Sequence, residues 1–126
     1  MDSKFSHLQW RNIPTNKGGI GKVSFPLVSD LTKSISRKYG VLFEEAIALR
    51  ATFIIDTNFK VRHQSVNDLT IGRNIEEIIR IIDAIHYVEA HGGEVCPAEW
   101  KQGTDAMEAT QEGVQDYLTS HSDNLP

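Results

Sequence analysis

Apolar positions recur with helical spacing most clearly in the second half of the chain, where isoleucines mark one helical face. Asn74 followed three residues later by Glu77 has the spacing of a capping box, and Gly92–Gly93 is placed to end the helix near His91. The stretch therefore predicts a long helix whose apolar face belongs to the core and covers a sheet. The isoleucines of this face are Ile75, Ile78, Ile79, Ile82 and Ile85.

Three shorter stretches also predict helices. Ser3 is a suitable N-cap for a first helix that runs through Arg11 and ends before Pro14. Ser29 or Asp30 caps a second, in which apolar residues recur every four positions before Gly40. A last helix is predicted around three residues that share a face, Val114, Tyr117 and Leu118.

Strand patterns occupy the middle of the chain. Arg50–Ile55 predicts a buried strand, Lys60–Val66 alternates apolar with polar residues, and the turn residues between them predict an antiparallel hairpin. Val23–Val28 predicts a short third strand, with Pro26 at an edge or a strand start. The stretch from 97 to 110 has no sustained period and is expected to be irregular. Three strands form a small sheet for so many apolar faces, so part of a domain is expected to be absent.

Composition limits the possible partners. The chain has 126 residues, the size of one domain, and its net charge of −4 gives no electrostatic footprint for nucleic acid or anionic lipid. No apolar run reaches membrane-spanning length and the first residues lack signal-peptide features, so a cytoplasmic setting is expected. The glycines of Lys17–Lys22 precede a strand instead of joining a strand to a helix, which favours a flexible turn over a phosphate-binding loop.

Cys96 is the single cysteine, and it follows the long helix and Gly92–Gly93. A thiol on a mobile segment outside the core is free to meet a second sulfur, and with one cysteine any disulfide must join two chains. A metal site formed by His86, His91 and Cys96 is disfavoured, because five-residue steps do not stay on one helical face. We therefore expect redox chemistry with a partner, and neither a metal nor another cofactor.

Several motifs follow one another in order along nearly the whole chain: Asp2–Trp10, Gly18–Gly21, Phe25–Asp30, Arg50–Asp56, Val66–Leu69 with Gly72–Arg73, and Gly93–Ala98. Together they resemble the C-terminal portion of a typical two-cysteine peroxiredoxin, the group that includes the alkyl hydroperoxide reductase C component. The resemblance implies an α/β class with a partial thioredoxin-like fold, a sheet with covering helices. Residues 1–92 would form the C-terminal part of the thioredoxin-like domain, and residues 93–126 a tail that carries the resolving cysteine.

The resemblance also implies the chemistry. Cys96 would be the resolving cysteine, which forms an intersubunit disulfide after a peroxidatic cysteine has reduced hydrogen peroxide or an organic hydroperoxide. Thioredoxin or a flavoprotein reductase would recycle that disulfide, and the subunits would form a homodimer or a decamer. Arg50 matches the arginine that stabilises the thiolate and polarises the peroxide. Arg73 matches a second arginine in the same charged network.

Three departures from the family pattern qualify these expectations. The Thr-x-x-Cys motif with the peroxidatic cysteine is not in the sequence, so the isolated chain is expected to lack peroxidase activity. The alternative is a non-catalytic fragment that binds full-length peroxiredoxin subunits. Gly92–Gly93 stands where the family has one glycine, and Tyr117–Leu118 stands where a Tyr-Phe pair accompanies sensitivity to overoxidation. The last departure leaves that sensitivity open.

Overall fold

The computed structural model describes residues 2–122, which contain four α-helices and six strands. The helices are α1 (Lys4–Asn12), α2 (Ser34–Lys38), α3 (Ile75–Ala90) and α4 (Gln111–Ser120), with a 3-10 turn at Thr15–Lys17. The strands are β1 (Leu42–Phe43), β2 (Ile47–Ala48), β3 (Arg50–Ile55), β4 (Val61–Asn67), β5 (Glu94–Val95) and β6 (Met107–Glu108). Consecutive strands pair into three two-stranded sheets within this range. The predicted α/β class is confirmed.

The chain divides into two compact units. Of the described residues, the first contains 2–52 together with 65–72, and the second contains 53–64 together with 73–122. The β3–β4 hairpin therefore contributes its base to the first unit and its tip to the second. The division at residues 92 and 93 expected from the sequence remains a prediction.

The first unit begins with α1, whose start at the Ser3 cap is confirmed. The Ser3 Oγ accepts a hydrogen bond from the Ser6 N–H at 3.1 Å. After the helix the chain turns tightly at Gly19, where a Cβ atom would lie 1.9 Å from the carbonyl oxygen of Ile13. A side chain would collide there, so the tight turn by itself explains the glycine, and no phosphate ligand is needed to explain it.

The prediction of a strand at Val23–Val28 is wrong, because this segment is irregular. Pro26 has no N–H to donate to a ladder, and the segment has no strand partner within residues 2–122. The Arg11 side chain instead binds the Val23 carbonyl oxygen, with Nη2 donating at 3.1 Å. The segment is thus held by a side chain and not by a sheet.

The second helix begins at Ser34, later than a cap at Ser29 or Asp30 predicts. The Asp30 carboxylate is buried and accepts hydrogen bonds from the N–H groups of Ile35 and Ser36, at 3.0 and 2.8 Å. Burial raises the pKa of Asp30, but these bonds outweigh it and the net pKa is lowered. Asp30 therefore caps α2 from a distance, and Gly40, at a φ of 67°, lies just beyond its end.

Two hairpins follow, and only the second was predicted. Between β1 and β2, Glu44 and Glu45 both have positive φ, 48° and 53°, where Asn-Gly is the usual sequence signal. The β3–β4 hairpin is confirmed, and its turn is closed by the Asp56 N–H, which donates to the Lys60 carbonyl oxygen at 3.0 Å. The Asp56 Oδ1 in turn accepts hydrogen bonds from the N–H groups of Asn58 and Lys60.

In the second unit the predicted long helix is confirmed as α3, with its cap at Asn74. The capping box is formed on one side, because the Asn74 Oδ1 accepts from the Glu77 N–H at 3.1 Å while the Glu77 carboxylate binds Arg80. The prediction that the isoleucine stripe is core is wrong, since no residue of α3 is buried. Two-stranded sheets do not supply enough surface to cover a helix of this length.

Removing the α3 cap tests how much local order this helix adds. We expect Asn74→Ala to lower the free energy of unfolding by about 1 kcal/mol, because one N–H of the first turn loses its partner. Asn74→Asp keeps an accepting oxygen and should have nearly the wild-type stability. Urea unfolding followed by circular dichroism checks both, and an equal loss in the two variants would contradict a capping role.

The C-terminal tail is more ordered than predicted. The short strands β5 and β6 pair antiparallel, with Glu94 opposite Glu108 and Val95 opposite Met107. The predicted last helix is confirmed as α4, capped by the Thr110 Oγ1, which accepts from an N–H in the first turn at 3.0 Å. No helix among residues 2–122 is long and apolar enough to cross a membrane.

Candidate functional site

Cys96 directly follows β5 and packs against α3. Its side chain is partly buried, and the thiol donates a weak hydrogen bond to the Ala84 carbonyl oxygen, with sulfur and oxygen 3.9 Å apart. The segment that carries Cys96 was expected to be mobile, but in this structure it is docked against α3. The thiol is held by the backbone of a helix but is not enclosed in a core.

Trp100 anchors the segment that carries Cys96. Its side chain is 2% exposed, and its indole Nε1 donates to the Thr104 carbonyl oxygen at 3.1 Å. The indole ring also lies 4.9 Å from the Tyr87 ring of α3, tilted by 51°. Trp100 therefore anchors this segment, whereas Trp10 is 44% exposed. Docking of the tail thus depends on one buried aromatic side chain four residues beyond the thiol.

Arg80 is the residue of this site that the sequence did not reveal. Its Nη1 donates to the Trp100 carbonyl oxygen at 3.0 Å, while Nε and Nη2 donate to the Glu77 carboxylate at 2.6 and 2.8 Å. The Glu77 carboxylate orients the plane of the Arg80 guanidinium, and the guanidinium in turn binds the tail at the Trp100 carbonyl oxygen. The available signal was spacing, since Glu77, Arg80 and Ala84 recur at i, i+3 and i+7 on one helical face.

The electrostatic environment keeps Cys96 neutral. Burial raises the pKa of the thiol, the Arg80 guanidinium partly offsets this, and the Glu94 carboxylate raises the pKa further. Glu94 also accepts a hydrogen bond from the Tyr87 hydroxyl at 2.5 Å, which raises the pKa of Tyr87. At neutral pH the docked sulfur is therefore a thiol and not a thiolate.

Charge removal at Glu94 tests this environment. We expect Glu94→Gln to lower the pKa of Cys96, because the negative charge near the sulfur is lost while the amide oxygen still accepts from Tyr87. The rate of iodoacetamide alkylation should then rise a few-fold near pH 8, and its pH profile should move to lower pH. Glu89→Gln makes the same charge change beside Arg62 and serves as the matched control. Equal profiles for the two variants would contradict the assignment.

The two arginines predicted from the family pattern lie in different units. Arg50 opens β3 in the first unit, and its Nε donates to the Leu69 carbonyl oxygen at 2.8 Å, which orients the guanidinium. Arg73 and Cys96 belong to the second unit, where Arg73 immediately precedes the α3 cap. The catalytic roles of Arg50, Arg73 and Cys96 remain predictions.

His91, which precedes Cys96, contacts Tyr87 of α3. The His91 ring stacks on Tyr87 with 4.1 Å between ring centroids, and its Nδ1 donates to the Tyr87 carbonyl oxygen at 2.9 Å. Among residues 2–122, no three histidine, cysteine, aspartate or glutamate side chains are grouped as metal ligands.

Two protein-family models match the sequence. The model of the AhpC/TSA family matches residues 1–64, about half of the chain. The model described as the C-terminal domain of 1-Cys peroxiredoxin matches residues 84–120, which include Cys96.

Proteins with similar sequences are named alkyl hydroperoxide reductase C or thioredoxin peroxidase. The chain is 57% identical over 125 residues to alkyl hydroperoxide reductase C of Helicobacter pylori, covering 99% of this chain and 63% of that protein. It is 50% identical over 121 residues to a thioredoxin peroxidase of Trypanosoma brucei rhodesiense, covering 95% of this chain and 60% of that protein. The chain thus spans about three fifths of the length of these relatives.

Solved structures agree with the sequence relatives. The reduced 2-Cys peroxiredoxin of Plasmodium vivax superposes with a TM-score of 0.89 and 51% identity, over 94% of this chain and 61% of that chain. The mitochondrial 2-Cys peroxiredoxin of Plasmodium falciparum gives a TM-score of 0.70 and 58% identity, over 76% of this chain and 56% of that chain. The chain therefore belongs to the AhpC/TSA family, and its fold is the corresponding part of a peroxiredoxin.

Proposed function

We propose that Cys96 is the resolving cysteine of a thiol-dependent peroxidase whose peroxidatic cysteine lies outside this sequence. The observation that carries this proposal is the docked position of Cys96, whose partly buried thiol donates to the Ala84 carbonyl oxygen at 3.9 Å. Burial at this position raises the pKa of the thiol. A cysteine that attacks peroxide must be a thiolate, so a neutral docked thiol is poorly suited to that step. A neutral thiol is instead suited to the resolving step, because peroxide does not readily oxidise it before a sulfenic acid has formed on the peroxidatic cysteine.

The proposed reaction has two steps on sulfur. A peroxidatic thiolate attacks the hydroperoxide, the O–O bond breaks, one oxygen remains on sulfur as a sulfenic acid, and the other leaves as water or an alcohol after gaining a proton. The Cys96 sulfur then attacks the sulfenic sulfur, so that an S–S bond forms, the S–O bond breaks and one water is released. A dithiol reductant later returns two electrons by thiol–disulfide exchange.

Release of the tail would precede the second step. In the docked state the Cys96 sulfur faces the Ala84 carbonyl oxygen, and the nearby backbone is held by Arg80 through Trp100. Undocking removes the burial that raises the thiol pKa, and the freed sulfur becomes both more reactive and able to reach a second chain. The docked tail should also lose stability as the pH rises through the thiol range, because the thiolate prefers water.

We assign the two arginines supporting roles in the same reaction. Arg50 would stabilise the peroxidatic thiolate and donate hydrogen bonds to the departing oxygen, and the fixed Nε contact with Leu69 supports a preset orientation. Arg73 would add positive charge to the same network. The family membership supports both assignments.

The proposed partners follow from the relatives. One relative is named a thioredoxin peroxidase, which supports thioredoxin as reductant, with a flavoprotein disulfide reductase as the other candidate. Other peroxiredoxin subunits would supply the peroxidatic cysteine, in a homodimer or a decamer. We place the protein in the cytoplasm, and its substrates are hydrogen peroxide and organic hydroperoxides.

A peroxide assay on this chain alone tests whether peroxide reduction requires a cysteine other than Cys96. Without a peroxidatic cysteine we expect the chain to consume hydroperoxide no faster than a free thiol, and to form at most Cys96-to-Cys96 dimers on a gel run without reductant. Free N-acetylcysteine at equal thiol concentration is the reference. Rapid, thioredoxin-dependent turnover by the isolated chain would contradict the proposal.

A second candidate function is that of a non-catalytic chain that binds peroxiredoxin polypeptides. The observation that favours it is the exposed isoleucine face of α3, since a folded protein rarely leaves a large contiguous apolar patch uncovered. Co-purification with a full-length peroxiredoxin subunit tests it, and failure to bind one would exclude it.

A further inference from the structure

We infer that His121, at the end of α4, is a positioning residue that helps to hold the Cys96 segment in its docked place while the imidazole ring is protonated. His121 joins α4 to Asp105, in the loop between Trp100 and β6. Its bearing on Cys96 rests on the proposed function, because a resolving cysteine has to leave its docked position to reach a second sulfur. The contact itself can be measured without any chemistry at sulfur.

Both ring nitrogens of His121 face hydrogen-bond acceptors. Nε2 lies 3.3 Å from Oδ2 of Asp105, and Nδ1 lies 3.0 Å from the Tyr117 carbonyl oxygen. Nδ1 also lies 3.1 Å from the Ser120 Oγ, whose one hydrogen is donated to backbone carbonyl oxygens of α4. A carboxylate and a carbonyl oxygen have no hydrogen to donate, and only the imidazolium form carries an N–H on each ring nitrogen. A neutral ring would turn a lone pair toward one of these oxygens.

The charged surroundings of His121 also favour the imidazolium. The ring lines two hollows of the second unit, of about 710 and 380 Å³, and stacks on Tyr117 with 4.1 Å between ring centroids. Apart from the tyrosines Tyr87 and Tyr117, the titratable side chains among residues 2–122 that share these hollows with His121 are six carboxylates: Glu94, Glu99, Asp105, Glu108, Glu112 and Asp116. Carboxylates, an aromatic face and the negative end of a helix dipole each stabilise a positive charge on the ring.

Helix α4 rests on the small sheet that leads into Cys96. At Gly113 of α4 a Cβ atom would lie 2.5 Å from the Cβ of Glu108 in β6, so the helix approaches this strand at a distance that only a glycine permits. Strand β6 pairs with β5, where Met107 lies opposite Val95, the residue before Cys96. The first turn of α4 is therefore packed on the strand pair that positions the thiol.

The last residue of the same helix contacts the loop that follows the thiol. Asp105, the partner of His121, comes directly after Thr104, whose carbonyl oxygen accepts a hydrogen bond from the Trp100 indole at 3.1 Å. Trp100 is the buried anchor of the Cys96 segment. Contacts at both ends of α4 thus support this segment, at β6 and at the Trp100 loop. When the ring loses its proton, we expect the end of α4 to separate from the loop and the segment to undock more often.

Protonation makes the His121 contact depend on pH. An imidazole is protonated below about pH 6.5 and neutral above it. The contact therefore stabilises the docked segment on the acidic side of this range, and the stabilisation is lost as the pH rises through it. Ionisation of the Cys96 thiol would act at higher pH, because burial raises the pKa of that thiol. The two effects on docking are thus separated along the pH scale.

His91 at the end of α3 provides an internal comparison. Its ring also stacks on a tyrosine one turn earlier, Tyr87, and its Nδ1 also lies near that residue's carbonyl oxygen, at 2.9 Å. Within residues 2–122, however, no carboxylate lies at ion-pair distance from the His91 ring. One N–H on a neutral ring satisfies this contact. His121 differs by its second acceptor, Asp105.

The test measures backbone hydrogen exchange in the full chain under reducing conditions, between pH 5.5 and 7.5. After correction for the intrinsic exchange rate, we expect the protection of the last turn of α4 and of residues 94–105 to fall about three- to tenfold as the pH rises. The midpoint should coincide with that of the His121 ring, followed by NMR. His121→Gln offers Asp105 an N–H donor that does not titrate, so this pH dependence should disappear.

His91→Gln is the matched control and should keep the wild-type pH dependence. Loss of the dependence in His121→Gln, with its retention in His91→Gln, supports the inference. Protection that does not change with pH in the wild type, or that changes at the end of α4 and not around Cys96, would overturn it. Circular dichroism checks that α4 remains helical in both variants. Failure of the proposed sulfur chemistry would leave these exchange results unchanged, so the two failures are distinguishable.

Discussion

Trp100→Ala is expected to release the tail that carries Cys96 and to lower the free energy of unfolding by about 3 to 5 kcal/mol, the usual cost of removing a buried tryptophan. The indole is 2% exposed and contacts the Tyr87 ring, so its loss leaves a cavity between the tail and α3. Total stabilities are about 5 to 15 kcal/mol, so the loss is a large fraction of the total. The thiol should then spend much of its time undocked.

Two measurements separate release of the tail from global unfolding. Urea unfolding gives the change in stability, and the rate of Cys96 alkylation under native conditions reports the undocked population. A local destabilisation of about 3 kcal/mol corresponds to roughly a hundredfold increase in rate, up to the rate of an unhindered thiol. Trp10→Ala removes the same side chain from a 44% exposed position and is the matched control. A Trp100→Ala chain with wild-type alkylation would refute the anchoring role.

The elements predicted correctly were those whose signals are local. The cap at Asn74, the helical spacing of the isoleucines and the turn residues between β3 and β4 each determine structure over a few residues. Helix α3 and the β3–β4 hairpin appear where these signals place them. Tertiary structure was not needed to find them.

The failures have identifiable physical causes. The turn between β1 and β2 uses Glu44 and Glu45 at positive φ, which costs energy that no sequence rule predicts for glutamate. Strands β5 and β6 have two residues each, too short to show an alternating pattern. The predicted strand at Val23–Val28 had the right composition, but a strand needs a hydrogen-bonding partner, and composition does not reveal one.

The candidate site was predictable only in part, because only some of its signals lie within a short stretch of sequence. Cys96 could be found because it is the single cysteine, and its family motif is contiguous in sequence. Arg80 could not, because its contact with the Trp100 carbonyl oxygen joins residues twenty positions apart and exists only after the tail folds back on α3. The isoleucine stripe shows the converse limit. Its spacing correctly predicts which residues share one helical face, but spacing does not reveal whether that face is buried.

Cys96→Ser is expected to abolish every disulfide between this chain and a peroxiredoxin subunit, because it removes the single sulfhydryl in the sequence. The partner in this test is full-length Helicobacter pylori alkyl hydroperoxide reductase C with serine at the position that aligns with Cys96. With one equivalent of hydroperoxide, the wild-type chain should form a mixed disulfide that a gel without reductant resolves. Thioredoxin with its reductase should then cleave it.

The matched control keeps the sulfur and changes a remote surface side chain, for which Leu118→Asp is suitable. It should form the mixed disulfide at the wild-type rate. If the wild-type chain formed no mixed disulfide although native mass spectrometry showed the two proteins bound, Cys96 would not be a resolving cysteine. Because serine nearly matches the size of cysteine and Cys96 is only partly buried, Cys96→Ser should leave the fold intact. The loss of the bridge would then report chemistry at sulfur and not a failure to fold.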